Sequence, residues 1–131
     1  MSLLICKWKK EFGPEVKEAI RKEITEGFGA LTGIAPEYFA VCFEDYPEGD
    51  FPEMNIGVFV LVHQTEGRDE GFKDEEVRMI TEAFCRHTGW EPARVSIMIH
   101  DILKGSMGVN GVIVNREAAA AEVIKADTLK I

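Results

Sequence analysis

The chain repeats itself, and that limits what it can fold into more than any other feature. Ile24-Thr25-Glu26-Gly27-Phe28 returns as Ile80-Thr81-Glu82-Ala83-Phe84, and 80 minus 24 gives an offset of 56. The offset holds downstream without a gap: Thr32-Gly33 falls on Thr88-Gly89, Pro36 on Pro92, Asp45 on Asp101 and Gly49 on Gly105. Self-similarity at a fixed period means two copies of one supersecondary unit, whatever the chemistry.

Each copy opens with a short apolar stretch rich in branched and aromatic residues, Leu3 to Trp8 and Ile56 to His63, which predicts a strand. A helix follows. In the first copy Pro14 suits the opening turn, Val16, Ile20, Ile24 and Phe28 recur at helical spacing, and Gly33 is the stop. In the second the helix runs from about Asp69 to His87, with Phe72, Met79, Ile80, Ala83 and Phe84 as its buried stripe and Gly89 as the stop. A second strand follows the Thr-Gly turn and the proline, over Tyr38 to Glu44 and again over Arg94 to His100.

Strand, long helix and strand within so short a span make a parallel crossover of right-handed sense. Two of them predict an α/β (α+β) fold: a four-stranded mixed sheet with two helices on one face. The strands carry apolar residues on both parities, so the other face also needs a cover, and oligomerisation is the simplest one. Beyond Asp101, Gly105, Gly108 and Gly111 break the chain, Val112-Ile113-Val114 reads as a short strand or hairpin arm, and Arg116 to Lys125 reads as a short helix. The expected organisation is one domain over 1–131, with repeats at about 2–53 and 56–114 and a tail at 115–131.

With 131 residues, 46% of them apolar, a real core is available, and no apolar run is long enough to span a bilayer. A net charge of -8, with Lys and Arg scattered among acids, argues against nucleic acid as a partner. Cys6, Cys42 and Cys85 lie far apart and read as reduced core thiols of a cytoplasmic protein. His63, His87 and His100 are too dispersed for a metal-binding helix pair, so no metal or other cofactor is expected. Of the three, His100 beside Asp101 is the one to test. Trp8 and Trp90 read as core or interface anchors. The run from Glu66 to Glu76 reads as a solvated helix start, apart from Arg68.

Three segments carry a resemblance. Leu31-Thr32-Gly33-Ile34-Ala35-Pro36-Glu37-Tyr38-Phe39-Ala40-Val41 resembles the helix-to-strand turn of macrophage migration inhibitory factor and of cis-3-chloroacrylic acid dehalogenase. Thr65-Glu66-Gly67-Arg68 is similar to the turn that closes the first strand of 4-oxalocrotonate tautomerase, and Lys104 to Gly111 to that enzyme's glycine-rich hairpin. The chain thus resembles the tautomerase superfamily in its tandem form over roughly residues 2–114. The resemblance implies a homotrimer with pockets between subunits, where an N-terminal proline moves protons on small oxo or enol acids and arginines hold the substrate carboxylate.

Aligned to the family, Ser2 stands at the position of the proline and Arg68 at that of a carboxylate-binding arginine. After removal of the initiator methionine, Ser2 would carry a primary amine with a reference pKa of about 7.7–8.0, which an apolar pocket would lower. The resemblance also points to Phe28, Ile34, Thr65, Ser96, Met98, Met107, Val109 and Asn110 as pocket positions, most of them less polar than in the family. Two main readings follow. One is an isomerase-like enzyme of weak or altered activity on a small carboxylate-bearing molecule. The other is a catalytically silent trimer that binds a ligand or a protein. A ferredoxin-like regulatory domain would share the element order but not the Thr-Glu-Gly-Arg and hairpin motifs.

Overall fold

Alternation of apolar and polar residues sets the first strand. In β1, Ser2–Lys9, the residues Ser2, Leu4, Cys6 and Trp8 are buried while Leu3, Ile5, Lys7 and Lys9 face the other way. The structure is a computed structural model and describes residues 1–114; the helix expected over Arg116 to Lys125 lies outside the described residues. From β1 the chain runs through α1 (Pro14–Thr32) and a 3-10 turn at Pro36–Tyr38 into β2 (Phe39–Tyr46). It then repeats the sequence as β3 (Val58–Thr65), α2 (Glu70–Thr88), a turn at Pro92–Arg94 and β4 (Val95–Ile102). Every element of the second copy begins 56 residues after its counterpart, as 58 minus 2, 70 minus 14 and 95 minus 39 show.

The sheet order is β2-β1-β3-β4. β1 is parallel to β2 and β3 to β4, while the central pair β1 and β3 is antiparallel, with Ser2 opposite Gln64 and Trp8 opposite Val58. Ile20, Ile24 and Phe28 of α1 join Ile80, Ala83 and Phe84 of α2 in one core with Leu4, Cys6, Trp8, Val58, Val60 and Val62, so both helices cover the same sheet face. The opposite face shows Leu3 and Met98 to solvent.

The repeated Thr-Gly dipeptide ends both helices by one device. Thr32 Oγ1 donates to the Phe28 carbonyl and accepts from Ile34 N–H, and Thr88 does the same with Phe84 and Trp90. Gly33 and Gly89 follow at φ 73° and 79°, left-handed values that close the helix end. Replacing Gly89 with alanine should therefore cost about 1–2 kcal/mol. Guanidinium melts should show a lower midpoint, and an unchanged midpoint would contradict the capping role.

A second repeated device is an ion pair from helix to strand, Lys17 with Asp45 and Lys73 with Asp101. Past β4, strands β5 (Met107–Val109) and β6 (Val112–Val114) form a hairpin of their own. Asn110 and Gly111, at φ 56° and 77°, make its two-residue turn. Val114 packs with Met107 and Val109 in a cluster apart from the main core.

Two expectations need correction. Glu76, read as part of a solvated helix start, is fully buried, because Phe72, Glu76, Ile80 and Phe84 recur every four residues along the face α2 turns to the sheet. Of the cysteines only Cys6 is a core residue; Cys42 is exposed and Cys85 half-buried. His63 and His100, distant in sequence, are paired across β3 and β4 with their Nδ1 atoms 3.1 Å apart.

Candidate active site

The duplication gives the sheet two equivalent ends, and the residues at them have diverged. At one end Trp8, Phe12 and Ile20 occupy the positions that Gln64, Arg68 and Glu76 hold at the other. The first end is closed by aromatic packing: the Trp90 ring lies 6.1 Å from that of Trp8 and 5.5 Å from that of Phe12. At the second end the same frame holds a polar network.

Arg68 lies in the turn between β3 and α2. Its guanidinium rests on the Phe72 ring at 4.6 Å and reaches the Phe28 ring at 5.9 Å, and Phe28 is stacked on Phe39 at 4.9 Å. Cation and aromatic faces attract, and the flat guanidinium packs well there. Asp69, next in sequence, is engaged elsewhere, capping α2 by accepting from Phe72 N–H. Arg68 Nη1 instead donates to Gln64 Oε1 at 2.7 Å, and Gln64 Nε2 donates to Glu76 Oε2 at 3.2 Å. Glu76 Oε1 lies 3.7 Å from Arg68 Nη1 and has no hydrogen bond among the described residues.

Burial sets the electrostatics of this network. It pushes the Glu76 carboxyl above the usual carboxylate range, against the hydrogen bond from Gln64 and the charges of Arg68 and Lys73. It also lowers the Arg68 pKa, which Glu76 and Asp101 only partly offset, though a guanidinium keeps its charge throughout.

Ser2 closes the end from β1. It is buried between Gln64 and Phe39, its two register partners, and its Oγ has no partner among the described residues. The Thr65 Oγ1 is buried and unpartnered in the same way. The α-amino group of Met1 is the remaining ionisable group, lowered from 8.0 to about 5 by burial and by the charge of Arg68. It is therefore neutral at pH 7.

A neutral amine beside a guanidinium on an apolar floor can accept a proton from a bound acid while the cation holds a carboxylate. The end thus gathers Ser2, Phe28 and Arg68, with Thr65 next to Gln64, and Ile34 packs against the adjacent core. Ser96 and Met98 face the opposite side of the sheet, being out of parity with the inward Val95, Ile97 and Ile99. Met107, Val109 and Asn110 belong to the separate hairpin. Sequence reasoning missed Gln64 and Glu76. The spacing of four from Phe72 to Ile80 carried a signal for Glu76, and the inward parity of β3 one for Gln64.

His63 and His100 border a hollow of about 550 Å³ on the open face with Leu3, Ile102, Leu103 and Ser106. Among the described residues no group of three His, Cys, Asp or Glu side chains could hold a metal ion. No described helix is long and apolar enough to cross a membrane.

Residues 59–116 match the family model described as "Tautomerase enzyme". No curated protein matches the chain. Among solved structures it is similar to native fused 4-OT, at 14% identity and a TM-score of 0.79 over 94% of this chain and 98% of that one. It is also similar to a fused 4-OT wild type asymmetric trimer, at 16% identity and a TM-score of 0.77 over 94% and 98%. A third is N1, a member of the cis-3-chloroacrylic acid dehalogenase family, at 17% identity and a TM-score of 0.74 over 98% and 95%. These identities speak for the fold; the family match covers the second copy and includes Arg68. Residues 59–116 thus match the tautomerase family, and the chain as a whole shares the fold of these fused and dehalogenase-family structures.

Proposed function

We propose that the chain is a tautomerase-like isomerase acting on a small oxo or enol carboxylic acid. Arg68 holds the substrate carboxylate. The N-terminal amine, on Met1 as the chain stands or on Ser2 once the initiator methionine is removed, takes a proton from the substrate and returns it at the neighbouring atom. The observation that carries this reading is Arg68 itself, a half-buried guanidinium on an aromatic shelf beside an amine that is neutral at pH 7.

In the same reading the working unit is a homotrimer. A neighbouring copy covers the open sheet face and brings Ser96, Met98 and the hairpin residues Met107, Val109 and Asn110 to the mouth of the pocket. Leu3 and Met98, exposed on that face, support a covering copy. No cofactor is required, since proton transfer needs only the amine and the carboxylate clamp.

The test is ketonisation of an arylpyruvate enol, followed by absorbance once mass spectrometry has established the N-terminus. Wild type should exceed buffer, Arg68→Ala should lose about 10–100-fold in kcat/KM, the worth of a charged hydrogen bond, and Ser2→Pro should gain. A wild type no faster than buffer overturns the enzyme reading. The second reading, a silent trimeric binder, is favoured by serine standing where the family has proline. It predicts no turnover, with ligand binding and a trimer retained. A monomer on sizing overturns the trimer in both.

A further inference from the structure

Glu76 has no part in the chemistry above, yet it is the most deeply buried ionisable group beside Arg68, with a fully inaccessible side chain. The contact between them is loose. At 3.7 Å, Glu76 Oε1 is a counter-charge to Arg68 rather than a hydrogen-bonded partner, and Gln64 stands between the two, its carbonyl accepting from Arg68 and its amide donating to Glu76. An ionised carboxylate offers about four lone-pair sites, and a single hydrogen bond serves this one among the described residues. The arrangement suits a carboxyl group that exchanges a proton better than one fixed in a tight ion pair.

The charges around it decide when that exchange occurs. Arg68, Lys73 and Asp101 are the charged groups that act on Glu76, and Lys73 is already tied to Asp101 at 2.6 Å. Two cations and two anions balance. A substrate carboxylate arriving at Arg68 adds one more negative charge where Phe28 and Phe72 replace water, and such an excess is costly unless a proton enters with it.

We infer that Glu76 is the proton-accepting counter-ion of Arg68: a carboxylate that binds Arg68 displaces Glu76 from that role, and Glu76 takes one proton from solvent as it yields. The inference rests on Arg68 being the carboxylate site. It makes Glu76 a positioning residue, acting through Arg68, that ties affinity for the acid to pH.

Benzoylformate, a 2-oxo acid with no enolisable hydrogen, separates binding from turnover. Calorimetric titrations in buffers of different protonation enthalpy count the protons taken up with it. Wild type should take up close to one proton per ligand at pH values above the ordinary carboxylate range, with Kd weakening by about tenfold per pH unit wherever the uptake approaches one. Glu76→Gln should bind with no uptake and a flat Kd. Binding that needs Arg68 but brings no proton in wild type overturns the inference while leaving the carboxylate site standing, and this arm does not depend on the variant folding. Uptake that persists in Glu76→Gln assigns the proton to the N-terminal amine and also overturns it. No binding, or binding unchanged in Arg68→Ala, removes the carboxylate site and the inference together.

Discussion

Replacing Trp8 with alanine is expected to lower the free energy of unfolding by about 3–5 kcal/mol, a large share of the 5–15 kcal/mol that holds a domain of ordinary stability together. The Trp8 ring is fully buried and meets Phe12 at 5.3 Å, Phe43 at 5.1 Å, Phe84 at 5.7 Å and Trp90 at 6.1 Å. It therefore links both copies and ties β2 to α2. Its indole N–H also donates to Asp45 at 2.8 Å, and Asp45 keeps Lys17 as a partner without it. The loss is thus mainly a cavity rather than a stranded charge. Trp8→Phe should retain more than half the stability lost in the alanine variant. Denaturant titrations of both would decide the matter, and equal losses would show that the hydrogen bond outweighs the packing.

Arg68→Met should behave differently, because its cost depends on pH. Removing one member of a buried pair usually costs about 3–5 kcal/mol through the charge left behind. Here the partner can neutralise itself. Burial already holds the Glu76 carboxyl above its ordinary range, and without the guanidinium it rises further. The folded variant then keeps a proton that the unfolded chain has released, so its stability falls as pH climbs from the ordinary carboxylate range through the folded value. The full penalty is expected near pH ~8.5 and much less near pH ~5.5, with Arg68→Met/Glu76→Leu recovering most of the loss at the higher pH. A penalty equal at both pH values would show that packing on Phe72, not charge, is what Arg68 supplies.

Much of the architecture was legible because two copies testify to the same frame. The offset that aligns Ile24 with Ile80 also aligns the ends of every strand and helix through β4, and the Thr-Gly dipeptides did mark the caps. Strand ends shifted by one or two residues, since apolar content does not record where pairing stops; β2 runs on to Tyr46 because Lys9 supplies its partner. The site was less legible. Arg68 was visible in its motif, but its partners depend on β3 and α2 meeting in space. Glu76 was hidden by its acidic neighbours, although its spacing from Phe72 and Ile80 placed it inside. The pairing of His63 with His100 depends on the register of two parallel strands, which local pattern does not encode.

The aromatic end of the sheet has a consequence for stoichiometry. A duplicated frame offers two mouths, but at the second copy's start Trp90 stands so close over Gly57 that even a methyl group there would meet its ring at 2.8 Å, and Phe12 holds the place of the guanidinium. Under the proposed function each chain therefore carries one site built on Gln64, Arg68 and Glu76 rather than two. The aromatic end acts as a keystone instead, with Trp90 wedged between Trp8 and Phe12 on one side and the Arg94 guanidinium on the other.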